Sequence, residues 1–181
     1  MARPPKSPHI PARDGVSASC VALPHGSSAA WPLLLDFLAE RLNVVDRAAW
    51  ELRLARGEVL DDSGQPLPPG APFQPGTRIH YYRHLDDEPD IPCEEAVLFQ
   101  DEHLLVADKP HFMPVTPSGR YVQQSLLVQL KRLTGCADLV PLHRIDRETA
   151  GLVLLGKRLP DRDAYHALFR DKDIHKTYHA V

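Results

Sequence analysis

Apolar residues in the first half of the chain recur with helical spacing and then with strand spacing. The predicted elements are a strand at 16–23, helices at 31–42 and 47–56, and strands at 58–60 and 77–83. Leucines three and four positions apart give the first helix an apolar face, with Ser28 as its cap and Pro32 in its first turn. Asp46 suits the cap of the second helix, and Gly57 suits its end. The pattern predicts two short helices followed by a small β-hairpin.

The second half alternates strand-like apolar runs with amphipathic stretches. The predicted elements are strands at 96–100, 104–109, 151–157 and 174–181, and helices at 122–133 and 161–169. The pair Asp101-Glu102 forms the turn of a hairpin between the first two strands, and Gly135 ends the first helix. Polar loops are predicted at 110–119 and 145–150. Helices and strands mixed in this order indicate an α+β fold with a mixed sheet.

Proline content and acidity divide the chain into segments. Of the 18 prolines, 16 lie at or before Pro117, so turns and linkers concentrate in the first two-thirds of the chain. We expect a disordered tail at 1–15, a small domain at 16–83, an acidic linker at 84–92 and a second domain at 93–181. The sequence therefore predicts two domains rather than one.

The distribution of charge points to a local basic site. The 181 residues have a net charge of −3, which argues against binding to nucleic acid through bulk positive charge. Residues 1–90 account for a net charge of −3, whereas residues 103–158 carry eight basic and four acidic side chains. The second domain can therefore still attract an anionic partner.

Neither export nor a membrane span is indicated. No apolar run approaches the ~18 residues of a membrane span, and the N-terminus lacks the apolar core of a secretory signal. The three cysteines, Cys20, Cys93 and Cys136, are odd in number and far apart, which fits a reducing compartment. We expect a cytoplasmic protein with no membrane partner.

The polar turn that follows residue 142 carries the candidate chemistry of the second domain. Asp146 has Arg144 two positions before it and Arg147 directly after it, between two predicted strands. Nearby positive charge favours an ionised carboxylate, which can act as a nucleophile or a base while arginines contact phosphate. Charge clusters are also common as solvated ion pairs, so a surface network is the alternative.

Two histidine pairs at helical ligand spacing are weak candidates for metal binding. His80 with His84 and His175 with His179 are each four residues apart, which in a helix suits zinc. Both pairs fall in strand-like runs, however, and no cysteine or third ligand has a matching spacing. We therefore expect no metal.

Three motifs in order resemble one family. The run HRIDRETAGLVLLGK at 143–157 is similar to the signature of the RluA-type RNA pseudouridine synthases, with Ile145 for the usual Leu and Ala150 for the usual Ser. The stretch DEHLLVADKPHFMPVTPSG at 101–119 resembles an earlier motif of that family, and KTYHAV at 176–181 resembles its Lys-x-Tyr-x-Ala-x strand. The resemblance covers residues 95–181.

The resemblance implies a reaction and roles for single residues. Enzymes of this family isomerise uridine in RNA to pseudouridine without a cofactor, breaking the C1′–N1 bond and forming a C1′–C5 bond. Asp146 aligns with the essential aspartate, Arg144 with an arginine that fills the space of the flipped base, and Tyr178 with a tyrosine that packs on that base. His143 and Arg147 complete the expected substrate-binding set. The implied substrate is ribosomal or transfer RNA.

The N-terminal half has a looser resemblance. Residues 33–83 are similar to a small two-helix RNA-binding module of ribosomal proteins that is often fused to these synthases, with shared features at 34–38 and 53–59. This implies phosphate contacts by four arginines, Arg41, Arg47, Arg53 and Arg56. Arginines on a solvated helix face are the alternative.

The C-terminal end of the sequence departs from the family pattern, so other functions remain as alternatives. The catalytic domain of the family continues beyond the tyrosine strand, whereas this sequence ends at Val181, so we expect a domain that is incomplete at its C-terminus. The alternatives are a non-catalytic RNA-binding protein or an inactive truncated synthase. An aspartate-dependent hydrolase unrelated to RNA is a third hypothesis. The oligomeric state is not encoded in any of these patterns.

Overall fold

The computed structural model describes residues 10–25, 30–43, 45–83, 88–91 and 97–180. These residues form two compact units. The first contains the described residues of 1–13 and 17–83, and the second contains those of 14–16 and 84–181.

The first unit combines two helices with a small antiparallel sheet. Its elements are β1 (Ser19–Ala22), α1 (Leu34–Arg41), α2 (Arg47–Ala55), β2 (Val59–Asp61) and β3 (Arg78–Tyr81). The strand order is β1-β3-β2, and both pairs are antiparallel. In the centre of the sheet His80 lies opposite both Cys20 and Leu60. The predicted helices and strands are formed, and the strand predicted at 16–23 pairs with the hairpin as its third strand.

The helix boundaries follow from their caps. The α1 helix begins later than predicted because the carboxylate of Asp36 accepts the N–H of Leu33 (3.1 Å), which leaves Pro32 outside the helix. The predicted cap Ser28 lies outside the described residues. The carboxylate of Asp46 accepts the N–H of Ala49 (2.7 Å), so the predicted cap of α2 is confirmed.

The core of the first unit holds the helices against the sheet. Trp31, Phe37 and Phe73 form a cluster with ring centroids 5.2–5.3 Å apart. Trp50 is 1% exposed and meets Tyr81 edge-on at 5.1 Å. Burial of these large rings is the main stabilising term of so small a unit.

Part of the predicted disordered tail is ordered by contacts with Tyr82. The Tyr82 hydroxyl donates to the carbonyl of Pro11 (2.7 Å), and the guanidinium of Arg13 lies 4.2 Å from the ring centroid of Tyr82. Residues 10–13 therefore differ from the expectation for 1–15, because an aromatic side chain supplies a hydrogen bond and a cation–π contact. Residues 1–9 lie outside the described residues.

The second unit has a four-stranded sheet with two helices. Its elements are β4 (Val97–Gln100), β5 (Leu104–Lys109), α3 (Leu126–Thr134), β6 (Val140–Pro141), β7 (Gly151–Gly156) and α4 (Arg162–Arg170). The strand order is β4-β5-β7-β6, and every pair is antiparallel. The prediction of an α+β fold is confirmed, but the mixed sheet is wrong among the described strands. The strands β5 and β6 run in the same direction, and β7 separates them, so no parallel pair is hydrogen-bonded.

A glutamate from the predicted linker binds the segment directly before α3. The carboxylate of Glu88 accepts the backbone N–H groups of Val122 (2.6 Å), Gln123 (2.8 Å) and Gln124 (2.6 Å). These donors are satisfied by the carboxylate, and α3 begins after them, at Leu126 instead of residue 122. Residues 88–91 therefore pack within the second unit, whereas 84–87 and 92 of the predicted linker lie outside the described residues.

The strand predicted at 174–181 is not formed. In the described part of that segment, residues 174–180 pair with no strand, and residues 175–180 are all exposed. Alternating side chains favour a strand when one face is buried, and here no second element covers a face. Val181 lies outside the described residues.

Among the described residues, no helix combines the length and the apolar character needed to cross a membrane.

Candidate active site

Two strands of the second unit hold the charged turn in place. The turn follows β6 and precedes β7, and the N–H of Leu142 donates to the carbonyl of Leu154 (2.9 Å) at its base. Within the turn, the N–H of Thr149 donates to the carbonyl of Asp146 (3.1 Å). Leu142 is buried, so the loop is anchored while its charged side chains remain exposed. A reactive group on such a loop keeps a fixed position at the surface.

A hollow of about 440 Å³ contains the predicted catalytic residue. Arg144, Asp146 and Arg147 line it, and all three side chains are exposed to solvent. The opposite wall comes from the loop after β5, with the residues Pro114, Val115, Thr116 and Ser118. We call this the Asp146 hollow. It brings together a carboxylate and two guanidinium groups in a space open to a ligand.

Arg147 is oriented by a partner other than Asp146. Its Nε and Nη2 atoms lie 2.9 Å and 2.8 Å from the carboxylate of Glu148, and its Nη1 donates to the Tyr121 hydroxyl (3.1 Å). The hydrogen bond from Arg147 lowers the pKa of Glu148. The expectation that Arg147 acts on Asp146 therefore needs correction, because the adjacent carboxylate takes the guanidinium. Asp146 lines the hollow without that ion pair.

A buried lysine donates a hydrogen bond to the backbone of this loop. Lys109 is 0% exposed, and its Nζ donates to the carbonyls of Pro110 (2.9 Å), Met113 (2.7 Å) and Arg147 (3.2 Å). Burial lowers the pKa of Lys109, and the negative charges of Glu148 and Asp146 oppose that shift. Sequence reasoning treated Lys109 as the end of a strand. Its inward position in the alternation of β5 was the available signal.

A second hollow, of about 400 Å³, contains the other two predicted residues of the second unit. His143 and Tyr178 line it, together with Ile145, which also lines the Asp146 hollow. Tyr178 is 60% exposed, so the predicted stacking tyrosine is accessible but lies outside a strand. We call this the His143 groove. The five predicted residues thus divide between two adjoining hollows.

His143 is held as a neutral ring. Its Nε2 accepts the N–H of Leu154 (3.1 Å), which places the proton of the neutral ring on Nδ1. The ring stacks on Phe169 at 4.8 Å, and Nζ of Lys176 lies 5.3 Å from the Phe169 centroid. Burial lowers the pKa of His143, and the charge of Lys176 lowers it further. Sequence reasoning assigned no role here to Phe169, whose signal was its place on an amphipathic helix, or to Lys176, which was noted only as the first residue of the KTYHAV motif.

The four predicted RNA-binding arginines of the first unit differ in their surroundings. Arg47 forms an ion pair with Asp36 (2.8 Å), and the guanidinium of Arg53 lies 5.0 Å from the Trp50 ring centroid. Arg41 and Arg56 are exposed. Arg47 and Arg53 therefore also have structural roles, in an ion pair and in a cation–π contact.

The described residues contain no group of three or more His, Cys, Asp or Glu side chains that could hold a metal ion. His80 lies 3.0 Å from a carboxylate oxygen of Asp62, and His175 and His179 are outside any helix. His84 lies outside the described residues.

Comparison with known proteins agrees with the sequence motifs. Residues 103–181 match the model of the family described as RNA pseudouridylate synthase. This part of the chain belongs to the RNA pseudouridine synthase family, which confirms the resemblance seen in the sequence. The matched segment contains β5, α3, β6, β7 and α4, and it includes both hollows.

Three curated relatives illustrate the range of the likeness. The chain is 36% identical over 148 residues to an uncharacterized RNA pseudouridine synthase of Synechocystis sp., covering 82% of this chain and 50% of the relative. It is 38% identical over 108 residues to the ribosomal large subunit pseudouridine synthase D of Zymomonas mobilis (55% and 33%). It is 36% identical over 92 residues to the tRNA pseudouridine(31) synthase of Saccharomyces cerevisiae (49% and 22%). The chain thus spans half or less of the length of these relatives.

Proposed function

We propose that the protein containing this chain isomerises uridine to pseudouridine in RNA, with Asp146 as the catalytic residue. The observation that carries this proposal is the Asp146 hollow, which the exposed side chains of Asp146, Arg144 and Arg147 line together within the family segment. Arginines bind phosphate, so the hollow suits a nucleotide whose sugar approaches the carboxylate.

The reaction rearranges bonds within one nucleotide. The C1′–N1 bond of uridine breaks, the uracil turns, and a C1′–C5 bond forms, while C5 loses its proton and N1 gains one. Asp146 supports this by attacking C1′ or by removing a proton from the sugar, and both routes require an ionised carboxylate. Because Arg147 forms its ion pair with Glu148, the Asp146 carboxylate is not part of that ion pair. The product is an isomer of the substrate, so the bonds balance within the nucleotide and no oxidant, reductant or co-substrate is consumed.

The target uridine has to leave its base stack to reach the hollow. We assign Arg144 to the space left by the base, and Tyr178 to the face of the flipped uracil. The exposure of Tyr178 at the rim of the His143 groove supports that assignment. His143 shapes the floor of this groove, and Arg147 contacts the backbone phosphate.

The first unit supplies additional RNA contacts in this proposal. Arg41 and Arg56 are exposed on its surface and can meet phosphates, whereas Arg47 and Arg53 are partly engaged by Asp36 and Trp50. Ribosomal RNA and transfer RNA are the candidate substrates, since one similar protein is named for each. The cytoplasm, with its reducing conditions, is the compartment that fits an RNA substrate and the odd number of widely spaced cysteines.

Release of tritium from RNA labelled at uracil C5 tests this function. The full-length protein is incubated with labelled ribosomal RNA and, separately, with labelled transfer RNA. We expect release from one of them, and loss of release in Asp146→Asn by at least a factor of about 10³. RNA affinity is measured in parallel to show that the variant still binds. No release from either RNA by the wild type would overturn the function, and release by Asp146→Asn would overturn the site.

A second function is favoured by one observation. Residues 174–180 form no strand, and Tyr178 is 60% exposed. The side of the site where Tyr178 would contact the uracil is therefore open to solvent. A non-catalytic RNA-binding protein would have the same basic residues without a closed site. It would bind RNA with a strong dependence on salt and release no tritium.

A further inference from the structure

An aromatic side chain stands exposed beside the catalytic loop. Phe112 is 60% exposed, although the next residue, Met113, is completely buried. Its backbone φ is +64°, the left-handed region that glycine adopts easily and that a bulky side chain seldom does. Both features oppose stability, because the ring gains little burial and the backbone is strained. Strained residues that persist in a fold concentrate at ligand-binding sites.

The turn that carries Phe112 is fixed on both sides. Nζ of Lys109 donates to the carbonyls of Pro110 and Met113, which close the turn from the buried side. The Nδ1–H of His111 donates to the carbonyl of Glu148 (2.7 Å), which joins the turn to the Asp146 loop. Phe112 is therefore held at a defined place next to the catalytic loop.

The neighbours of the ring leave its surface available. The one ring contact of Phe112 among the described residues is with His111, tilted and with centroids 5.9 Å apart. Arg144 and Arg147 provide positive charge in the Asp146 hollow on the same loop system. An exposed aromatic face beside cationic groups has the chemistry of a surface that stacks nucleobases and neutralises phosphates.

We infer that Phe112 stacks on a nucleobase of the RNA strand that flanks the target uridine. This inference rests on the proposed function and deepens it, because it assigns a contact outside the reacting nucleotide. Stacking needs only the π-face of a base, so the contact tolerates different sequences around the uridine. Phe112 therefore binds RNA and takes no part in the reaction at Asp146.

Affinity for a defined probe tests the inference. The probe is a fluorescein-labelled single-stranded 12-mer of alternating uridine and 2-aminopurine, titrated with full-length protein at low salt. We expect Phe112→Ala and Phe112→Gly to weaken binding about 5- to 150-fold, the range measured for loss of one base–aromatic stack. Phe112→Trp and Phe112→Tyr should stay within about threefold of the wild type. Quenching of 2-aminopurine should fall in the alanine variant.

A matched control separates stacking from general loss of apolar surface. Phe99 on β4 is 53% exposed and belongs to the same unit, so Phe99→Ala removes a similar ring at another place. It should leave the affinity unchanged. Equal affinity of Phe112→Ala and wild type, an equal loss in Phe99→Ala, or no binding of the probe by the wild type would each overturn the inference.

The glycine variant separates binding from stability. Gly adopts a φ of +64° without strain, so Phe112→Gly should melt at the wild-type temperature or a few degrees above it. Weak binding by an equally stable protein cannot be attributed to unfolding. Tritium release by the wild type reports the proposed function independently. If the wild type isomerises uridine and Phe112→Ala has an unchanged KM, the stacking inference is wrong and the proposed function is retained. If the Phe112 variants bind RNA more weakly but the wild type releases no tritium, the proposed function is wrong and the stacking contact is retained.

Discussion

The ammonium nitrogen of Lys109 lies 3.2 Å from the carbonyl oxygen of Arg147. The lysine is buried at the end of β5, and the carbonyl belongs to the loop that carries Asp146. The same ammonium also holds the carbonyls of Pro110 and Met113. One buried cation therefore joins two loops that line the candidate active site, and it helps to fix the position of the loop that carries Asp146.

Replacement of Lys109 by methionine should reduce both stability and turnover. Methionine keeps most of the volume but leaves three carbonyls without their donor, which costs about 1–3 kcal/mol of unfolding free energy for each group left unsatisfied and buried. We expect kcat for uridine isomerisation to fall at least about tenfold with a smaller change in KM, because the loop loses its support rather than its phosphate contacts. Urea denaturation and tritium release measure the two effects.

Lys157→Met provides the control for this variant. Nζ of Lys157 also donates to a backbone carbonyl, that of Asp101 (2.5 Å), but this contact is exposed and lies at the opposite end of β5. Its loss should change stability by less than about 0.5 kcal/mol and leave kcat intact. Normal turnover in Lys109→Met would contradict a positioning role for the buried lysine.

The two arginines of the Asp146 hollow should contribute unequally to the salt dependence of RNA binding. Arg147 is paired with Glu148, whereas Arg144 has no such partner among the described residues. A free cation that meets a phosphate releases about one counterion, so Arg144→Gln should reduce the slope of log K against log salt by about 0.7–0.9. Arg147→Gln should reduce it by less. Titrations of labelled RNA at several salt concentrations measure the slopes, and equal reductions would contradict the ion-pair argument.

Two histidines should give the unfolding free energy opposite dependences on pH. Burial, and then Lys176, lowers the pKa of His143 in the folded state, so the unfolded chain binds more protons below about pH 6.5. The contribution of His143 is thus retained above pH 6.5 and lost as the pH falls. The hydrogen bond to Asp161 raises the pKa of His103, whose contribution is complete below pH 6.5 and is lost as the pH rises through the folded-state value.

Difference measurements isolate the two contributions. Urea denaturation of the wild type, His143→Gln and His103→Gln is performed between pH 5 and pH 8. Relative to the wild type, His143→Gln should become more stable as the pH falls, and His103→Gln should become less stable. The same sign for both differences would contradict the assigned environments, most directly the neutral His143 ring that accepts the N–H of Leu154.

Local sequence signals predicted the elements that depend on local chemistry. Asp46 caps α2 as expected, and Gly57 and Gly135 have positive φ at the ends of α2 and α3, where a left-handed residue closes a helix. The polar loop predicted at 145–150 was also recognisable, because motif and polarity coincide there. These features involve residues within a few positions of each other.

The features that sequence reasoning missed depend on distant partners. Glu88 accepts the N–H groups of residues 122–124 directly before α3, a contact across more than 30 positions. The strand expected at 174–181 lacks a neighbour to pair with in the described chain, although its alternation is regular. In the site, Arg147 forms an ion pair with Glu148 rather than with Asp146, and this pairing depends on side-chain geometry. Spacing alone does not encode such competition.

Arg53 and Arg56 of the first unit allow a final test, because they differ in structural role. The Arg53 guanidinium packs over the ring of Trp50, which is buried in the core, whereas Arg56 is exposed at the end of α2. Arg53→Gln should therefore lower the unfolding free energy by about 0.5–1 kcal/mol, the value of an exposed cation–π contact. Arg56→Gln should leave stability unchanged and weaken RNA binding at low salt, with convergence to the wild type at high salt. Thermal melting and RNA titration of both variants measure this. Unaltered RNA binding in Arg56→Gln together with Arg41→Gln would show that these arginines belong to a solvated helix face and that the first unit binds RNA by other residues or does not bind it.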